Sequence, residues 1–247
     1  MTFDLLILGL GATLFSFIST AFATGGVYFL LISATFVLPI SAVVPLMSTF
    51  GFASLLSRLY YFKDHIQYSF VAPFALGSVV GVGVGIHIFV SLSETLILIS
   101  LSILLLVLIW TPILAFLSRS SHGILRYSFL GIGIAHAFFS SLFGIGVFLQ
   151  PSMIKTNLAK LQITATLAGC LLAIESIKII GFVAEGFDYL HYTNYIIIAT
   201  LGGILGSYLG KRTTHKISDR VFQMAFKGII TLSAVWLFVK GLGGIIE

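Results

Sequence analysis

The chain is a near-continuous succession of apolar runs, and their length constrains its fold more than any other feature. Eight runs, at roughly 5–38, 42–60, 68–90, 94–117, 126–152, 160–182, 191–210 and 219–244, approach or exceed the ~20 apolar residues that a helix needs to cross a bilayer. Short polar segments separate several of them: Lys63-Asp64-His65, Arg119 to Gly123, Glu185 to Asp188, and Lys211 to Arg220. Only 9% of the 247 residues are charged, against about 25% in a soluble domain. Too little polar surface remains to cover a globule in water. The expectation is an all-α polytopic membrane protein, with residues 1–247 forming a single membrane domain. Asp4 is the only charged residue in the first ten, so the basic start of a cleavable signal is missing and the first run is expected to stay. The single cysteine, Cys170, allows no intrachain disulfide and no thiolate metal cluster. The formal charge of +5 sits mostly in short loops, which reads as orientation in a bilayer and not as a nucleic-acid surface.

Two of the runs are interrupted. Thr24-Gly25-Gly26 breaks the first, and Gly144-Ile145-Gly146 followed by Gln150-Pro151 breaks the fifth. Glycine and proline disfavour helix continuation, so each run is expected to form two helical pieces. The interruptions recur in order. Gly11 and Gly26 lie 120 residues before Gly131 and Gly146, and the ladder Gly77, Gly81, Gly85 returns 125 residues later as Gly202, Gly206, Gly210. This pattern suggests an internal duplication, with repeat one at about 4–118 and repeat two at about 126–245. The ladders are expected to pack against a neighbouring helix at short distance and to touch no substrate.

Charge suggests how the repeats are oriented. The loop near residue 63 is basic and the loop near 94 holds only Glu94, whereas the loop near 186 is acidic and the loop near 214 is basic. Basic short loops prefer the cytoplasm, so equivalent loops face opposite sides and the repeats read as inverted. Each would consist of a broken helical hairpin plus three transmembrane helices, an arrangement that duplicated transporters share. Ten of the 13 lysines and arginines then fall on the cytoplasmic side.

No nucleophile–base set, nucleotide-binding loop or metal motif is present in the sequence, so the chain reads as neither an enzyme nor a holder of a cofactor or metal. The interruptions are the site candidates. A helix that starts at membrane depth offers unpaired N–H groups and a partial positive charge, which suit an anion. Gly25, Gly26, Gly144 and Gly146 would allow close approach to that backbone, and Thr20, Thr24, Ser140 and Ser141 would add hydroxyl donors. His136 lies on the broken fifth run and could bind or sense a proton. Glu175 and Lys178 stand three apart on the sixth run, either as an internal ion pair or as an ion-coupling carboxylate beside an anion-attracting amine. On this reading the anion sits between the two interruptions near the bilayer midplane.

The order of these elements resembles the TauE/SafE family of sulfite-exporter-like permeases. It runs from Ala23-Thr24-Gly25-Gly26 and Phe143-Gly144-Ile145-Gly146, the latter followed by Pro151, to the helices bearing Ser48-Thr49 and Thr164-Ala165-Thr166. A short loop and a glycine-ladder helix follow in each half, the last reading Leu201 to Arg212. Leu31 and Ile145 stand where the family often has a proline and a third glycine. The resemblance implies a permease of the cell (plasma or inner) membrane for sulfite or a small organosulfur anion, working by alternating access. A passive anion channel and a non-transporting membrane partner are the competing classes.

Overall fold

The computed structural model describes residues 2–22, 26–111, 126–213 and 219–246, and these contain helices, turns and short loops but no strand. The helices are α1 (Thr2–Phe22), α2 (Gly26–Val37), α3 (Ile40–Phe50), α4 (Phe52–Phe62), α5 (Tyr68–Ser91), α6 (Glu94–Trp110), α7 (Ser128–Phe143), α8 (Leu149–Ile154), α9 (Lys160–Ala184), α10 (Thr193–Thr213) and α11 (Asp219–Ile246). Three of them contain stretches long and apolar enough to cross a membrane: Phe3–Thr20, Tyr68–Ser91 and Leu161–Ala184. Several polar residues inside these helices satisfy themselves locally. Thr13 donates to the carbonyl of Gly9 at 2.8 Å, Ser78 to that of Phe74 at 2.8 Å, and Ser176 to that of Leu172 at 2.8 Å. A hydroxyl bonded back to its own helix needs no water, which is what an apolar surrounding demands.

Both expected interruptions are present. The first run becomes α1 and α2, and the fifth becomes α7 and α8 with Gly144 to Phe148 non-helical. The second run is also divided, at Gly51, although its φ of −92° and ψ of −8° stay near helical values and Leu55 N–H still reaches its carbonyl at 3.1 Å. In the fourth run α6 stops at Trp110 and Thr111 is extended, and the rest of that run lies outside the described residues. Thr24, Gly25, Arg119 and Lys216 lie outside the described residues.

The chain forms two compact units that interleave in sequence. One comprises Met1–Phe50, Leu92–Pro112 and Tyr189–Glu247, and the other Gly51–Ser91 and Ile113–Asp188. In the first, Leu8, Leu30, Leu31, Leu46, Leu101 and Leu105 are fully buried. Along α11, Trp110 donates its indole N–H to Thr231 at 3.0 Å, and Lys240 donates to the carbonyl of Thr35 at 3.2 Å. Thr35 belongs to the last turn of α2, whose carbonyls have no partner within the helix, so the ammonium caps it. The charge of Lys240 thus serves a helix end. In the second unit, Phe74, Phe129 and Phe182 fill the interior.

Each unit contains one glycine ladder crossed against one partner helix. In the second unit, a Cβ on Gly77, Gly81 or Gly85 of α5 would stand 2.0, 2.2 or 2.9 Å from the carbonyl oxygens of Leu130, Ile134 and Phe138 on α7. In the first unit, a Cβ on Gly202, Gly206 or Gly210 of α10 would stand 2.5, 2.0 or 2.7 Å from those of Gly9, Thr13 and Phe17 on α1. The ladders therefore do pack helix on helix at the distance only glycine permits. The glycines are related by 125 residues and the facing carbonyls by 121, without exception. The spacing of Gly11 and Gly131, at 120, is one residue off this register, and their surroundings differ: Gly11 faces Ser33 of α2, whereas Gly131 faces open space.

Candidate anion site at an interrupted helix

The second unit brings together six of the residues singled out from sequence: His136, Ser140, Gly144, Gly146, Glu175 and Lys178. α7 carries His136 and Ser140 one turn apart, hence on one face. The helix ends at Gly144, whose φ of 76° lies in the left-handed region and whose N–H closes on the carbonyl of Ser140 at 3.0 Å. Glycine is needed there because a Cβ disfavours that conformation. From α9, Lys178 reaches Ser140 Oγ at 3.1 Å and Glu175 Oε2 at 3.0 Å. Lys178 is completely buried, while the Glu175 side chain keeps 16% of its surface exposed. An ammonium has three donors, so these two contacts leave one uncommitted among the described residues.

His136 does something that its position in the sequence does not reveal. Its Nδ1 accepts the backbone N–H of Leu149, the first residue of α8, at 3.1 Å. The proton of the neutral ring therefore sits on Nε2. The same ring fills the space above Gly146, where a Cβ would stand 2.2 Å from Nε2 and 2.3 Å from Cε1. One N–H at the second interruption, of the kind expected to face an anion, is thus committed to an imidazole. Gly146 makes room for that imidazole. Phe74 closes the ring's surroundings at 5.8 Å between centroids. Gly146→Ala is expected to displace His136 and lower stability by about 1–3 kcal/mol, the usual cost of overpacking. Thermal melting of Gly146→Ala beside Gly146→Ala/His136→Ala checks this. The double variant recovers part of the loss if the ring is the obstacle, and a single variant that melts like the wild type would show that the ring has room to move.

The other singled-out residues are placed differently. Ser141 points toward the ladder, its Cβ 2.9 Å from where a Cβ on Gly85 would be, and its buried hydroxyl has no partner among the described residues. Thr20 occupies the equivalent place beside Gly210 in the first unit. Gly26 opens α2, but the space a side chain would take there holds the carbonyl oxygen of Phe15 and the hydroxyl of Ser19, each 2.2 Å from an ideal Cβ. Its role in that packing is close approach of α1 and α2. Sequence reasoning passed over Phe139, which meets Phe138, Phe143 and Phe148 at 5.4, 6.0 and 5.6 Å between centroids around the interruption. The only signal for that cluster is the density of phenylalanines from 138 to 148.

A buried ammonium, a hydroxyl and an imidazole N–H at the end of a broken helix are donors suited to an anion. A family profile described as Sulfite exporter TauE/SafE matches residues 6–237, nearly the whole chain. The chain belongs to the TauE/SafE family. No curated protein and no solved structure matches it. TauE/SafE proteins are membrane transporters and not enzymes, in keeping with helices here that are apolar enough to span a membrane. Within this TauE/SafE chain, the donors of the second unit come from α7 and α9 alone, two helices whose contact no local sequence pattern announces.

Proposed function

We propose that this protein carries sulfite or a small organosulfur anion across the cell membrane by alternating access, and that Lys178, Ser140 and His136 hold the anion. The observation that carries the site is the complete burial of Lys178 with its ammonium 3.1 Å from Ser140 Oγ, where α7 breaks off. Burying an ammonium is costly, and in membrane helices such residues mark substrate or ion paths. Its uncommitted donor, the Ser140 hydroxyl and the Nε2–H of His136 supply several donors to one small oxyanion. The family supports the anion class. A multi-pass architecture of two inverted repeats accompanies this reading. The doubled helix crossing, with ladders 125 and facing carbonyls 121 residues apart, supports the duplication, and the charge pattern of the loops supports the inversion.

The test is a thermal-shift screen of purified protein against sulfite, sulfate, thiosulfate, taurine and sulfoacetate. A true ligand at about 100 times its dissociation constant stabilises by about 2.7 kcal/mol. The expected result is stabilisation by one or two of these anions, reduced in Ser140→Ala. An identical response in Ser140→Ala and the wild type would remove Ser140 from the site.

A further inference from the structure

We infer that the anion enters this site together with a proton, by taking the place of the Glu175 carboxylate on Lys178. The inference rests on the reading of Lys178 and Ser140 as the anion site and adds its coupling. Its basis is the charge already present. Lys178 is fully buried and its ammonium lies 3.0 Å from Glu175, so the pair is neutral before any substrate arrives. An oxyanion bound to Lys178 beside an ionised Glu175 would leave an uncompensated negative charge in an apolar helix packing, which is strongly unfavourable. A proton on Glu175 removes that charge. The geometry allows the exchange. Glu175 is joined to the site through Lys178 and, unlike Lys178, keeps part of its surface open. Glu175 is then a tethered competitor: its carboxylate occupies the ammonium when the site is empty and withdraws, neutral, when an external anion takes over.

Among the described residues on the elements packed against α9, the other titratable groups are exposed. α9 packs against α4, α5, α8 and the 3-10 turn Lys63–His65. On those elements Tyr60, Lys63, Asp64, His65, Tyr68 and His87 are all exposed, and α8 carries no titratable residue. Arg58 and Tyr61 also lie on α4. Glu185 follows α9 and is exposed. From α7, His136 lies one turn before Ser140 and is the competing candidate for the proton.

Calorimetric titration of the full chain in detergent with methanesulfonate, a probe whose single charge does not change with pH, tests the inference. In the wild type, affinity is expected to fall about tenfold for each unit rise in pH, with about one proton taken up per anion bound. Glu175→Gln is expected to bind at least as tightly as the wild type at its best pH and to lose the pH dependence. His136→Asn is expected to keep it. Binding by the wild type without proton uptake overturns the inference, and so does a pH dependence that survives in Glu175→Gln or disappears in His136→Asn. If Glu175→Gln fails to fold, proton uptake that persists in His136→Asn still supports the inference, and its loss there overturns it. The two readings fail differently. Undiminished binding by Lys178→Met refutes the site itself, whereas loss of binding in Lys178→Met with an unchanged pH profile in Glu175→Gln refutes only the coupling.

Discussion

Lys178→Met is expected to abolish anion-dependent stabilisation and transport, and to lower the stability of the protein by about 3–5 kcal/mol. The stability loss has a specific origin. Methionine fills most of the space of the lysine stem, so little packing is lost, but Glu175 is left as a mostly buried carboxylate without its partner. Breaking such a pair from one side costs more than removing both charges. Lys178→Met/Glu175→Gln is therefore expected to melt near the wild type and still to show no response to anions. Thermal melting with and without the anion found in the screen, together with flux in proteoliposomes, measures both effects. Anion-responsive melting in the double variant would show that the ammonium is not the binding group. Equal melting of Lys178→Met and the wild type would show that the ion pair contributes nothing to the fold.

Gly81→Ala and Gly206→Ala are expected to reduce stability together, by at least about 1–3 kcal/mol each, with a fall in the yield of folded protein. A methyl group at these positions would stand 2.2 Å from the carbonyl oxygen of Ile134 and 2.0 Å from that of Thr13. Both obstacles are helix backbone, which cannot turn aside as a side chain can, so the helices have to separate along the whole crossing. Gly83 is the internal control: it lies on α5 between two ladder glycines, yet a Cβ there meets nothing within 4 Å. Gly83→Ala is expected to match or exceed the wild type, because alanine favours a helix by about 1 kcal/mol over glycine. Thermal melting of the three variants decides. A large loss at Gly81 with none at Gly206 would break the equivalence of the two crossings and, with it, the case for a duplication.

What was legible in the sequence is what depends on local spacing. The interruptions at Gly26 and Gly144–Gly146 could be read because glycine and proline act on the backbone where they stand. The ladders could be read because residues four apart share a helix face, and the pairing of Glu175 with Lys178 because residues three apart do. The structure bears out each of these contacts. Contacts between helices distant in sequence left no such trace. Nothing near Ser140 announces an ammonium from 38 residues away, and nothing near Lys240 announces the carbonyl of Thr35. His136 is the most instructive residue. Its type suggests ligand or proton chemistry, and the structure adds two tasks that its type does not suggest: it accepts a backbone N–H and fills the space above a glycine. Those two tasks follow from the path of the chain through residues 144–148, which composition does not specify.

The crossing of α1 with α10 also sets a timetable for biogenesis. α1 leaves the ribosome well before α10, and the glycines that receive its carbonyl-lined face extend to Gly210. At about 5–20 residues per second, roughly 10–40 s separate the synthesis of the two faces. α5 waits only for α7, about 50 residues on, so its crossing can close several times sooner. Through that interval α1 has α2 as its neighbour and lacks its partner on the other side. A substitution on α10 therefore acts on the nascent chain as well as on the finished one, because it prolongs the interval in which an early helix stands open to proteases and to incorrect partners.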